Sequence, residues 1–289
     1  MALENPSSKP VAVDAALPRS FAAGYGHHVD RGLSLSGGGL FFVAWQVAYL
    51  STLAAHGVQF ETSDRVVGTS AGSVVASALT CGRLPRLHSE IKLLAKVPAL
   101  MSALAPAADL HPSQQLALDL FTNAADSEPA TVQAIGHAAL AAITPKPDVI
   151  QRNLSLVLGR PHWTSDALHI TCVDTYTGDR CVITRATHVS VARAVAASSA
   201  VPGVFAPQPI GDRRCMDGGV SGTGIHLDLM AGAKRVLILA LTDGSALAEG
   251  MMTSHPGGAE QELADLETSG TSVMIRVPEQ VDLLELMAP

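Results

Sequence analysis

The chain has 289 residues, of which 47% are hydrophobic and only 4% aromatic, and its formal net charge at pH 7 is −7. A chain of this length can bury a large core, and its richness in alanine, leucine and valine suits buried parallel strands packed by helices. The negative charge argues against nucleic acid as a partner, because phosphate binding needs a clustered positive surface.

The cysteines and the apolar segments indicate the cellular compartment of the protein. No two cysteines have C-x-x-C spacing, so zinc and redox motifs are absent from the sequence, and free thiols in a large chain fit a reducing cytoplasm. No apolar stretch follows a basic start as in a signal peptide, and none approaches the roughly 20 residues of a membrane span. We therefore expect a cytoplasmic protein without a metal or cofactor. The cysteines are Cys81, Cys172, Cys181 and Cys215.

The first elements alternate a strand, a glycine turn and a helix. Residues 1–30 contain prolines and a polar run, and they predict an arm that is poorly ordered or loosely docked. Residues 32–36 predict a short strand that enters the glycine run 37–39. Residues 40–57 then carry apolar side chains at helical spacing, with Gly57 as the expected helix stop.

A second unit of the same kind follows at once. Residues 65–68 predict a strand, residues 69–72 a turn, and residues 73–81 a helix of small side chains. Two consecutive strand–turn–helix units indicate right-handed crossovers and a parallel sheet.

Beyond the second unit the pattern becomes helical and then returns to strands. Residues 83–165 predict a helical excursion, broken by prolines, that walls or caps a cleft. The excursion and the strands that follow it belong to one predicted domain, residues 31–289. The predicted helices are 114–121, 130–143 and 190–198, and the predicted strands are 168–173, 180–184, 214–219 with its glycine turn, and 235–241.

The stretch Gly68-Thr69-Ser70-Ala71-Gly72 has the G-x-S-x-G pattern of a nucleophile elbow between a predicted strand and a predicted helix. Side chains at the two flanking positions would collide with neighbouring backbone in so tight a turn, and glycine avoids this. The Ser70 hydroxyl would stand above the C-terminal edge of the sheet, where helix N–H groups favour negative charge. Ser70 is the candidate nucleophile, although an ordinary turn with Thr69 or Ser70 as helix cap fits the same residues.

A nucleophilic serine needs a base, and the sequence offers two solutions. Asp217 follows a β-like segment, and Gly218 and Gly219 would let its loop approach the serine closely. Alone, this aspartate would fit a turn residue that caps its own backbone, but beside a serine elbow and a glycine loop it is the candidate base. A triad in which His226 or His255 follows Asp217 stays open.

The run Gly37-Gly38-Gly39 follows a predicted strand and opens a helix, so its backbone N–H groups can form a concave anion pocket. A nucleotide-phosphate site is disfavoured, because the run lacks the P-loop lysine and Phe42 stands at the third-glycine position. Beside a nucleophilic serine, the pocket predicts an oxyanion hole, with the N–H of Ala71 as a further donor.

These motifs occur in the order found in the patatin-like phospholipases, which the chain resembles. The resemblance rests on the glycine run 37–39, the serine motif 68–72 and the motif Asp217-Gly218-Gly219. The segment Ala197–Pro207 is also similar to the one that precedes the aspartate in that family. The resemblance covers roughly residues 31–245.

The resemblance implies both a fold and a reaction. The implied fold is α/β, a three-layer α/β/α sandwich with a mainly parallel central sheet, like the catalytic domains of patatin and cytosolic phospholipase. The implied reaction is cleavage of lipid acyl esters by a dyad of Ser70 and Asp217, without a catalytic histidine. A lipid or other acyl ester is therefore the expected partner, and peripheral contact with a membrane stays open.

One departure from the family concerns substrate choice. The family's glycine loop usually continues with a basic residue and a further glycine, where this chain has Phe41 and Phe42. The missing cation bears on phospholipid preference and leaves the backbone donors intact. We expect Phe42 and Trp45 to pack in the core, whereas Phe41 is a candidate for lining an acyl pocket.

Two other functions fit the same motifs. An acyltransferase or a biosynthetic cyclising enzyme would form the same acyl-serine and pass the acyl group to an alcohol or amine. A non-catalytic lipid-binding protein on the same fold is the second alternative, favoured only by the missing basic residue.

Overall fold

A single sheet lies at the centre of the computed structural model, which describes residues 21–94, 96, 110–159, 162–241 and 258–278. In these residues eight strands are hydrogen-bonded in the order β5-β6-β3-β2-β1-β7-β8, and β4 pairs with β3. The strands are β1 Arg31–Leu35, β2 Arg65–Thr69, β3 Leu168–Asp174, β4 Arg180–Ile183, β5 Gln208–Ile210, β6 Arg213–Asp217, β7 Arg235–Leu239 and β8 Ser272–Arg276.

Helices cover both faces of this sheet. The described helices are α1 Gly39–Ala55, α2 Ala71–Thr80, α3 Leu84–Leu94, α4 Pro112–Thr122, α5 Pro129–Ala141, α6 Pro147–Leu158, α7 Val191–Ser198 and α8 Gly258–Thr268. One core layer contains side chains of α1, α2, α3 and α7 against β1, β2 and β3. The opposite face packs against α8 and residues 225–233, and against α4 and α5 at the β6 end. The predicted three-layer α/β/α sandwich is confirmed.

The sheet is parallel in its middle and antiparallel at one side. β1 pairs in parallel with β2 and β7, and β3 and β8 extend this parallel part on the two sides. β4, β5 and β6 join it in antiparallel pairs. The β3–β4 pair is a hairpin, as its glycine-containing connection predicts.

Two strands share one edge of β3, and this arrangement decides where the candidate site lies. β2 pairs with residues 168–171 of β3, and β6 pairs with residues 172–174. β4 pairs with 170–173 and so occupies the other edge. Because β2 runs parallel to β3 and β6 runs antiparallel to it, β2 and β6 point at each other, and their C-terminal ends meet.

Prolines begin several helices that they were expected only to interrupt. Pro112, Pro129 and Pro147 each stand at the start of a helix, where the missing proline N–H has no partner to lose. The predicted segments 114–121 and 130–143 therefore begin earlier than expected, and α6 lies in the predicted helical excursion, where no bounds were predicted for it. α3 likewise belongs to that excursion, whereas β5, α8 and β8 were missed.

Part of the predicted N-terminal arm is described and packs on the sheet. The N–H of Gly26 donates to the carbonyl of Ala231 at 2.7 Å, and the Val29 carbonyl accepts from Lys234 at 2.9 Å. Residues 1–20 of the predicted arm lie outside the described residues. Within the described ranges, no helix combines the length and apolar character needed to cross a membrane.

Candidate active site

Ser70 occupies a strained turn between β2 and α2. Its φ of 50° and ψ of −118° are rare for a residue with a side chain, and such a conformation costs about 1–3 kcal/mol. A Cβ at position 72 would collide with the carbonyl oxygen of Leu35, and one at position 68 would lie 2.7 Å from the carbonyl oxygen of Gly72. The two glycines therefore permit the turn.

A segment that sequence reasoning left without a role holds this turn in place. The N–H of Ser70 donates a hydrogen bond to Oγ of the buried Ser198 at 2.8 Å, and the Ser199 hydroxyl donates to the Ser70 carbonyl at 3.4 Å. Two residues after Ser198, the carbonyl of Ala200 accepts from the N–H of Asp217 at 3.0 Å. The end of α7 thus binds both candidate catalytic residues. Its only signal in the sequence was the likeness of this stretch to a family segment.

Asp217 ends β6 and is buried, with 3% of its surface exposed. Its Oδ1 accepts a hydrogen bond from the N–H of Gly219 at 2.8 Å, whereas Oδ2 has no hydrogen-bond partner among the described residues. Burial raises the pKa of this carboxyl to about 6, against the smaller lowering effects of the Gly219 N–H and the Ser70 hydroxyl. The Ser70 hydroxyl therefore lies close enough to Asp217 to lower the pKa of its carboxyl. Oδ2 of the same carboxyl remains without a hydrogen-bond partner among the described residues.

Gly218 lets the Asp217 turn reach the end of β2. A Cβ at position 218 would lie 2.7 Å from both the carbonyl oxygen and Oγ1 of Thr171, and 2.9 Å from Cγ2 of Thr69. The hydroxyls of Thr69 and Thr171 are themselves 2.7 Å apart. Only a glycine fits against this pair, so the close approach foreseen for the Asp-Gly-Gly motif has a steric cause.

A buried polar network supports the far side of the same turn. The carbonyl of Gly218 accepts from the Ser221 hydroxyl at 2.9 Å and lies 3.1 Å from Nε2 of His226. Arg180 lies 3.5 Å from the other ring nitrogen of His226 and forms a buried ion pair with Asp228. A histidine that donates from Nε2 to a carbonyl cannot accept a proton there. In this geometry His226 contacts the turn after Asp217; His255, the other histidine of the open triad, lies outside the described residues.

The predicted oxyanion loop lies directly beside Ser70. A Cβ at position 37 would be 3.2 Å from the serine Cβ and 3.9 Å from its Oγ. Gly38 and Gly39 have φ values of 151° and 66°, which favour glycine and turn the backbone into α1. The N–H groups of Gly38, Gly39 and Ala71 have no acceptor in the described part of the chain. These three N–H groups are the donors on which the predicted oxyanion hole depends.

Two interactions fix this loop to the elbow. The carbonyl of Ser36 accepts hydrogen bonds from the N–H of Gly72 at 3.1 Å and from the buried Gln46 amide at 3.0 Å. The first bond joins the end of β1 to the first turn of α2, and the second joins it to α1. The start of the loop cannot move without disturbing the helix that follows the serine.

The aromatic residues after the loop differ in burial, as the sequence suggests. Phe42 is fully buried and stacks on Trp45, with ring centroids 5.2 Å apart, and Trp45 stacks in turn on Tyr49. Phe41 is half-buried, and Leu40 before it is 42% exposed. The core expectation for Phe42 holds, and Phe41 remains at the surface next to the glycine loop.

Comparison with known proteins identifies the family. A model of the patatin-like phospholipases matches residues 33–227, and the chain belongs to this family. The proteins of this family are hydrolases that act on lipid substrates. No curated protein matches the chain. Among solved structures, VipD from Legionella pneumophila is similar, with 13% sequence identity and a TM-score of 0.35. The match covers 75% of this chain and 50% of VipD, so this chain spans about half the length of that protein.

Replacing Ser198 by alanine should destabilise the protein through the serine turn. The variant leaves the Ser70 N–H without its acceptor, and we expect the free energy of unfolding to fall by about 1 kcal/mol. Ser199→Ala is the matched control, because its hydrogen bond of 3.4 Å is longer and weaker. Urea unfolding followed by circular dichroism measures both variants. Equal losses for the two would contradict the assigned role of Ser198.

Proposed function

We propose that the chain is a serine acyl hydrolase that cleaves carboxylic esters of lipids through an acyl-Ser70 intermediate. The observation that supports this most directly is the meeting of β2 and β6 along one edge of β3. It brings the Ser70 turn to a buried carboxyl of Asp217 with one unpartnered oxygen. Membership of the patatin-like family supports the same class of reaction.

In the proposed first half-reaction, the Asp217 carboxylate takes the proton of the Ser70 hydroxyl as Oγ bonds to the ester carbonyl carbon. The carbonyl oxygen becomes an oxyanion. As the tetrahedral intermediate collapses, the bond to the alcohol oxygen breaks, and Asp217 returns the proton to the leaving alkoxide. The products of this step are a free alcohol and an acyl-serine.

In the second half-reaction water replaces the alcohol. Asp217 accepts a proton from the water as the water oxygen attacks the acyl carbon. Collapse of this second intermediate breaks the bond to Oγ, and the proton restores the serine hydroxyl. The carboxylic acid leaves, and the enzyme returns to its starting state.

Backbone donors supply the stabilisation of the oxyanion. The N–H groups of Gly38, Gly39 and Ala71 are without acceptors among the described residues and lie on the loop and helix that flank Ser70. Loss of one such donor typically lowers a rate about 10²–10³-fold. These donors are peptide groups, so the absence of the family's basic residue leaves them unchanged.

The raised pKa of Asp217 makes it a better base than an ordinary aspartate. A carboxyl whose pKa is near 3.9 is a weak proton acceptor at neutral pH, and burial brings the pKa of this one to about 6. A base is most effective when its pKa lies near the working pH. The same burial that destabilises the carboxylate therefore serves the proposed reaction.

Substitution of either dyad residue should remove esterase activity. With p-nitrophenyl esters of varied chain length, we expect Ser70→Ala to fall to background and Asp217→Asn to lose about 10²–10⁴-fold in kcat, as for loss of a general base. Phe41→Ala, which keeps the dyad, should retain turnover and shift the chain-length preference. Circular dichroism confirms that each variant is folded.

Full activity in either folded dyad variant would refute the proposed reaction. Product analysis adds a second check, because a hydrolase releases the free acid even when a competing alcohol is present. Exclusive transfer of the acyl group to that alcohol would instead indicate an acyltransferase.

The pH dependence should report Asp217. The carboxylate is the active base, and its pKa is raised to about 6, so kcat/KM should rise about tenfold per pH unit below 6 and level off above it. The measurement is kcat/KM for a neutral ester between pH 5 and 8, over which the fold is checked separately. A profile that is flat, or one whose rising limb disappears in His226→Gln with Asp217 intact, would contradict the dyad.

A further inference from the structure

Three of the four cysteines form a buried cluster beside the candidate dyad. The sulfur atoms of Cys172, Cys181 and Cys215 all lie within 4.8 Å of one another. The exposed fractions of the three residues are 0%, 4% and 0%. They stand on the adjacent strands β3, β4 and β6, and sequence spacing gave no sign that they would meet.

The register of the sheet explains why the three thiols share one face. Cys172 is directly opposite Cys181 in β4, and side chains of opposed residues lie on the same side of a sheet. On its other edge, Cys172 is opposite Asp217, two residues after Cys215. Since side chains alternate along a strand, Cys215 and Asp217 lie on this face as well.

The donor set is soft and contains three ligands. Thiolate sulfur favours Cu(I) and Zn(II) over hard cations. No histidine, aspartate or glutamate of the described residues joins the cluster as a fourth ligand within the same distance. Structural zinc sites take four protein ligands, and a three-ligand zinc site keeps an open position for water. A cluster so fully buried suits Cu(I), which accepts three sulfur ligands without a fourth.

We propose that Cys172, Cys181 and Cys215 bind a soft metal ion, with Cu(I) as the occupant, in a three-sulfur site that ties β4, β3 and β6 together. On binding, each S–H proton is released to the solvent and a Cu–S bond takes its place. Copper stays in the +1 state, so no oxidant or reductant is consumed.

The surroundings of the cluster indicate the side from which an ion would enter. Arg213, two residues before Cys215 on β6, forms ion pairs with Asp174 at 3.3 Å and with Asp179 at 3.8 Å. Arg213 is 19% and Asp179 53% exposed at the side chain. This charged rim lies next to Cys181, the cluster member on the hairpin at the outer edge of β3. An ion would therefore enter from the Cys181 side.

A metal at this position would hold the strand that carries Asp217. One ligand, Cys172 on β3, lies directly opposite Asp217, and another, Cys215 on β6, lies two residues before it. Both are therefore close to the point where β6 meets β2. The inference concerns binding and goes beyond the proposed hydrolysis. Its test measures metal binding alone, so its failure leaves the proposed function untouched.

The test uses the full chain, reduced and kept free of oxygen. Cu(I) is supplied as a complex with a colorimetric chelator, and Zn(II) is tested in a parallel competition. The variants are Cys181→Ala and Cys215→Ala, with Cys81→Ala as the matched control because Cys81 lies outside the cluster. Circular dichroism checks the fold of each variant, and X-ray absorption counts the sulfur ligands.

Wild type and Cys81→Ala should each take one equivalent of Cu(I), bound by three sulfur atoms. Folded Cys181→Ala should bind at least about tenfold more weakly, since even supporting residues of metal sites contribute that much. If Cys215→Ala fails to fold, the affinity of Cys181→Ala and the number of sulfur ligands in the wild type test the proposal by themselves. No binding by wild type, equal binding by Cys181→Ala, or tighter binding of Zn(II) than of Cu(I) would overturn the proposal.

Discussion

The edge of β3 that serves two strands is the constraint on which the candidate site depends. Thr69, the last residue of β2, pairs with Thr171, and Asp217, the last residue of β6, pairs with the next residue of β3. A serine and an aspartate almost 150 positions apart in the chain are thereby fixed at one junction. The crowding of position 218 against Thr69 and Thr171 tightens that junction, and any larger side chain there would push the two strand ends apart.

The same junction stores unfavourable energy that the surrounding structure offsets. Ser70 has a strained backbone, and Asp217 is a buried carboxyl with one oxygen left unpartnered. The end of α7 binds both residues, and the network of Ser221, His226 and Arg180 supports the turn after Asp217. Strain and uncompensated charge of this kind persist only where neighbouring contacts fix the geometry. In the proposed reaction both features would serve catalysis, since an activated nucleophile and a base of raised pKa need such a setting.

The sequence predicted the layers of the fold because its local patterns are strong. Strand, glycine turn and helix follow one another twice in the first 81 residues, and this order implies a parallel sheet. The least accurate predictions fall where local signals are weak: β8 alternates exposed and half-exposed residues, and the prolines at 112, 129 and 147, which begin helices, looked like interruptions. The dyad remains a prediction from motif order. The Ser198 contact and the cysteine cluster depend on register between distant strands, which no local pattern encodes.

Labelling with a fluorophosphonate tests the central claim most directly, because this reagent forms a stable bond only with a serine whose hydroxyl is activated. Peptide mapping by mass spectrometry then locates the adduct. The proposed dyad predicts one adduct, on Ser70, that forms much more slowly in folded Asp217→Asn. Absence of labelling in the folded wild-type protein, or an adduct on another serine, would contradict it.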